Sequence, residues 1–136
     1  MSNIKTHKGS CHCGHVKFEV DLDATKGSMC NCTICTKLGL RGAQTKPEAL
    51  RALTDESTLG CYEWGTVGKR YFCKVCGTHC YSRGYLEEIG GAFASINLNA
   101  LDDIDPYQVH LVHWDGRHDN WQAGPGEKPY PITLSA

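Results

Sequence analysis

The chain has 136 residues, of which 40% are hydrophobic and 21% charged, with a formal net charge of −1. That is enough apolar material for one modest core, and too even a charge for the electrostatic footprint of a nucleic-acid binder. No apolar run approaches the ~20 residues that cross a bilayer, and residues 1–9 lack the apolar stretch of a secretion signal. A single domain over 1–136 with a cytoplasmic location is the expectation. Against this ordinary profile stand nine cysteines. Without a secretion signal, thiols spaced one or two residues apart converge on metal rather than bridge one another.

In chain order, Cys11-His12-Cys13-Gly14 is a C-x-C turn whose glycine lets the backbone fold tightly beneath the sulfurs. From His15 the sequence alternates: Val16, Phe18, Val20 and Leu22 are apolar, and Lys17, Glu19, Asp21 and Asp23 polar. That is a strand with one wet face. Residues 24–28 read as a turn leading into Cys30-Asn31-Cys32-Thr33-Ile34-Cys35. Residues 33–38 suit one or two helical turns, with Gly39 as the stop. Residues 42–46 are ambiguous. Residues 47–53 have helix-forming composition with Pro47 well placed at the start, the alternative being an edge segment followed by a turn. Residues 59–64 and 69–72 form a hairpin through Gly65-Thr66-Val67-Gly68, which delivers the knuckle Cys73-Lys74-Val75-Cys76-Gly77. Strands over 78–83, 92–98 and 109–114 follow, with a polar turn over 101–106 and an irregular segment after Asp115. The sum is a mainly β, small antiparallel fold stapled by metal.

The cysteines divide by position. Cys11 and Cys13 form one pair and Cys73 and Cys76 another, and two ligand pairs distant in sequence are the usual way to close a four-cysteine zinc site. Such a site carries a net charge of about −2, tolerable where backbone amides donate to the sulfurs. Cys30, Cys32 and Cys35 then offer three soft ligands to a second ion and leave one tetrahedral position without a local donor. Structural zinc sites are closed by four protein ligands, whereas catalytic ones keep a position open. Cys61 and Cys80 read as small buried hydrophobes; if either reached the triplet, that site would be closed and structural. Iron–sulfur binding ranks below zinc, because the spacing matches neither ferredoxin pattern.

Three segments, Gly9-Ser10-Cys11-His12-Cys13-Gly14, Cys30-Asn31-Cys32-Thr33-Ile34-Cys35 and Phe72-Cys73-Lys74-Val75-Cys76-Gly77-Thr78-His79, resemble the glutathione-dependent formaldehyde-activating family, whose domain is shared with centromere protein V. Ile96-Asn97-Leu98-Asn99-Ala100-Leu101-Asp102 and Trp114-Asp115-Gly116-Arg117 fit its later segments. The resemblance spans about 8–121. It implies a β-tent fold with two zinc ions, one structural on Cys11, Cys13, Cys73 and Cys76 and one catalytic on Cys30, Cys32 and Cys35. It also implies carbon–sulfur lyase chemistry that joins glutathione to formaldehyde as S-hydroxymethylglutathione. The chain departs from the family in carrying Ala100 where many relatives have a cysteine, and in the additional thiol Cys80.

Three thiolates leave a bound zinc at about −1, a weak Lewis acid better suited to binding a substrate thiolate than to making hydroxide. A small thiol and an aldehyde are therefore the expected partners, with no nucleic acid and no membrane. The competing class is a non-catalytic zinc-stapled binding scaffold. For proton transfer the histidines His12, His110 and His113 come into view, although each has a packing or surface role as its alternative. Arg117 is either a clamp for a substrate carboxylate or a loop arginine paired with Asp115 or Asp119. Trp114, Trp121 and Tyr107 either wall a pocket or pack in the core.

Overall fold

The alternation after His15 becomes the middle strand of a small sheet. In the computed structural model, which describes residues 3–65 and 68–134, β1 (Lys5–Ser10), β2 (Lys17–Leu22) and β5 (Leu50–Ala52) pair antiparallel in the order β1-β2-β5. Phe18, Val20 and Leu22 are buried. On the wet face Asp21 accepts from Arg51 Nη1 and Nη2, at 3.0 and 2.9 Å, and from the Thr6 hydroxyl. Those donors, Arg51 first, lower its carboxyl to about 2.

The second sheet has seven strands: β3 (Lys26–Cys30), β4 (Gly42–Thr45), β6 (Gly60–Trp64), β7 (Gly68–Phe72), β8 (His79–Leu86), β9 (Gly91–Asn97) and β10 (His110–Trp114). Their order is β10-β3-β4-β9-β8-β7-β6. Every pairing is antiparallel except β10 with β3. Residues paired across strands share a face, so Tyr71, Tyr81, Ile96 and Ala43 line one side. That side meets the small sheet in one core, where Phe18 and Tyr81 pack edge to face with ring centres 5.3 Å apart. Such a pair adds about 1 kcal/mol beyond its buried area. The architecture is mainly β and antiparallel, as expected of a small β-tent.

Several local expectations change. Residues 26–28 are the first part of β3 rather than a turn. The ambiguous 42–46 stretch holds β4. Residues 47–53 form a single 3-10 turn over Pro47–Ala49 followed by β5: Leu50 is buried opposite Val20, and a continued helix would forfeit that pairing. The last strands begin and end within three residues of expectation, and the β6–β7 hairpin forms, with Thr66 and Val67 of its turn outside the described residues. The short helix α1 (Thr33–Leu38) is as read, closed by Gly39 in the left-handed region at φ 61°. It buries none of its own residues, so its place is set by the cysteines at its start and by Leu40, which is buried just after it.

Candidate metal centres

Cys11 and Cys13 lie in the turn from β1 to β2, and Cys73 and Cys76 in the turn from β7 to β8. One pair thus comes from each sheet. Gly14 and Gly77 take φ of 83° and 81°, where a side chain would be strained, and their amides close onto the carbonyls of Cys11 at 3.1 Å and Cys73 at 2.9 Å. The turns then aim amides at sulfur: Val16 N–H donates to Cys11 Sγ at 3.2 Å, and the amides of Val75 and Cys76 to Cys73 Sγ at 3.3 and 3.4 Å. Donors of this kind offset thiolate charge. Thr78 Oγ1 lies 3.2 Å from Cys76 Sγ, and its hydroxyl and backbone lower that thiol to about 5. The four sulfurs all lie within 4.8 Å of one another, the one such gathering of ligand atoms among the described residues. This donor set is able to hold a metal ion such as zinc.

Cys30 ends β3, Cys32 immediately precedes α1 and Cys35 lies in its first turn. The three sulfurs are not gathered within 4.8 Å of one another as the four-cysteine set is, but the thiols are close enough to influence each other: Cys32 and then Cys35 hold Cys30 low, while Cys30 and then Cys32 push Cys35 up. Their loop is braced from the far end of the chain, brought in by the parallel pairing that sets Trp114 opposite Cys30. Arg117 donates Nε to the Asn31 carbonyl at 2.8 Å, its amide to Asn31 Oδ1 at 2.9 Å, and Nη2 to Thr36 Oγ1 at 3.4 Å. Asn31 Nδ2 in turn donates to Asp115 Oδ1 at 2.8 Å. Buried Asp115 also accepts from His118 Nδ1 at 2.7 Å and Asn120 Nδ2 at 3.2 Å, and these donors, Asn31 first, hold its carboxyl below the usual range. His118 accepts the Thr133 amide at Nε2, which fixes its tautomer. Between these contacts Gly116 comes so close that a Cβ there would stand 2.5 Å from Cys30 Sγ and 2.7 Å from the Trp121 ring.

The other singled-out residues separate cleanly. Cys80 is buried, as expected. It sits beside the four-cysteine group, where burial first and then the charges of Cys11, Cys73 and Cys76 push its thiol up to about 12. Cys61 is not buried but exposed, because β6 is the free edge of its sheet and four of its five residues face solvent. His110 is exposed and pairs with Glu127 at 3.2 Å. His12 is also exposed, its backbone amide bonded to Thr78. Arg117 pairs with neither Asp115 nor Asp119; it is spent on the triplet loop. Trp114 and Trp121 stand together, ring centres 6.0 Å apart, next to Cys30, whereas Tyr107 is exposed under the Arg41 guanidinium. The sequence reading missed Asn31 and Asp115 as supports of the triplet. Both lie inside the quoted motifs, but only the β3–β10 pairing makes them neighbours.

A model of the family described as glutathione-dependent formaldehyde-activating enzyme matches residues 6–115. Among solved structures, a crystal structure of a Rhodobacter sphaeroides protein superposes with a TM-score of 0.67 at 28% sequence identity, over 79% of this chain and 98% of that one. The matched span takes in all three cysteine clusters and ends at Asp115.

Proposed function

The chain belongs to the glutathione-dependent formaldehyde-activating enzyme family, and on that premise we propose that it joins a small thiol of the glutathione type reversibly to an aldehyde such as formaldehyde. The observation that carries this reading is the braced triplet: three thiols on one short loop, with Cys80 turned into the core and Cys61 into solvent. In this reading Cys11, Cys13, Cys73 and Cys76 hold a structural zinc that ties the two sheets together, and Cys30, Cys32 and Cys35 hold a second, catalytic one.

The donor chemistry fits both assignments: gathered thiols supported by amide donors in the four-cysteine group, and three soft thiol donors on one loop in the triplet. A zinc ion on the triplet would supply a lowered pKa to an added thiol. The chain's own residues do the rest of the positioning. Asn31 and Arg117 fix the loop, Gly116 packs against Cys30 Sγ, and the paired indoles of Trp114 and Trp121 cover one side. In the reaction the thiol sulfur forms a bond to the aldehyde carbon, the carbonyl π pair moves to oxygen, and the proton lost from sulfur is returned to that oxygen. The reverse sequence is lyase chemistry on the hemithioacetal.

Glutathione and formaldehyde combine unaided, so the test is acceleration above that background, measured by NMR exchange between free and adduct-bound formaldehyde. Zinc-loaded protein is expected to speed exchange, and Cys35→Ser to remove the gain while one zinc equivalent remains. No acceleration with glutathione or other cellular thiols would leave a zinc-stapled binding scaffold as the function.

A further inference from the structure

The face of the large sheet turned away from the core is polar, and Cys30 of the triplet belongs to it. Register places Arg70 beside Ser82, Ser82 beside Ser95, and Ser95 beside Gln44. One step along the strands, Asn97 and Ser28 both pair with Gly42, while on the far side a register shift between Tyr71 and Phe72 sets Phe72 opposite His79. Side chains alternate along a strand, so Cys30, two residues beyond Ser28, and Trp114 opposite it share this face. Leu40, which follows α1 and Gly39, lies 3.8 Å from where a Cβ on Gly42 would be, as does Ser95 Oγ. Cys30 and Arg70 therefore lie on one sheet face, with small residues between them at Gly42, Ser82 and Ser95.

Arg70 is the unusual member of that region. The other four arginines are fixed by side-chain or backbone acceptors: Arg41 by Asn99, Arg51 by Asp21, Arg83 by Glu56 and Arg117 by Asn31. Arg70 is half-buried, and among the described residues its guanidinium has no hydrogen bond, ion pair or ring contact. Partial burial removes hydration from a cation, and without an acceptor nothing replaces it. On the neighbouring strand, burial first and then the Arg70 charge lower half-buried His79 to about 4. A free, rigid fork of donors on the sheet face that Cys30 shares suits a planar carboxylate.

We propose that Arg70 binds a carboxylate of the substrate thiol and so selects acidic thiols over neutral ones, an inference that rests on the thiol–aldehyde reading above. The test compares glutathione with its diethyl ester, which keeps the thiol and loses the carboxylates. Wild type, Arg70→Lys and Arg70→Ala are each assayed by formaldehyde exchange, and their affinity for S-methylglutathione, which does not react, is measured by calorimetry.

Arg70→Ala should raise KM for glutathione about tenfold or more, the size of one lost charge-assisted contact, with kcat and the rates for the ester unchanged. Arg70→Lys should fall between, because it keeps the charge and loses the fork. A parallel loss of S-methylglutathione affinity is expected, with melting temperature and zinc content unaltered. Equal KM for acid and ester in wild type, or an Arg70→Ala variant that discriminates as wild type does, overturns the proposal and leaves the proposed reaction standing. If wild type accelerates nothing, the reaction fails by itself, and calorimetry still decides: S-methylglutathione affinity that depends on Arg70 supports the carboxylate site, and affinity that ignores it removes it.

Discussion

The two cysteine groups solve opposite problems. The four-cysteine group draws its ligands from two turns on different sheets and gathers the sulfurs within 4.8 Å. The triplet takes its thiols from six consecutive residues and leans on a distant segment, Trp114 to Arg117, for its shape. In the first, the cysteines bring the two sheets together; in the second, the fold holds the cysteines. A metal that closes a long loop between sheets contributes directly to folding. One bound by a local loop ties little together and is free to serve chemistry.

Substitution at the first group should therefore have the largest effect on stability. Cys73→Ser removes a fully buried ligand and should cost several kcal/mol, lowering the melting temperature by roughly 10 °C or more. An unchanged midpoint with full zinc content would erase the distinction between the sites. Gly116→Ala acts on the second group from outside it. The added methyl would collide with Cys30 Sγ and the Trp121 ring, so the triplet should lose its metal while the four-cysteine group keeps its own. The expected fall in stability is about 1–3 kcal/mol, the usual size of overpacking. Zinc analysis after gel filtration reads both; a variant that retains two equivalents and wild-type activity would show that Gly116 does not shape the triplet. Cys61→Ser is the smallest, within ~0.5 kcal/mol and with zinc content unchanged, because this thiol is exposed on an edge strand. A lost zinc equivalent there would mean that Cys61 belongs to one of the groups.

The strands that were legible are those whose buried positions are apolar. In β2 the buried set is Phe18, Val20 and Leu22, and period two is plain. In β1 the buried positions are His7 and Gly9. His7 is held by Asp103 at 3.1 Å, and Gly9 leaves room for the Phe18 ring. Neither residue signals a strand, because the reason for each lies on another segment. The same holds for β5, where a helix-like composition yields to pairing with β2.

By itself the sequence determined the ligand chemistry: soft donors in three clusters, with Gly14 and Gly77 placed to turn the backbone beneath the sulfurs. Those are local properties, set by side-chain type and by φ. Only the tertiary structure decided that Cys80 faces the core while Cys61 does not, that Arg117 is committed to the triplet loop, and that Gly116 touches Cys30. It also decided that Arg70 has no hydrogen-bond or ion-pair partner among the described residues. Each of these depends on which strand lies beside which, and strand order is fixed by burial summed over the whole chain rather than by any one stretch of it.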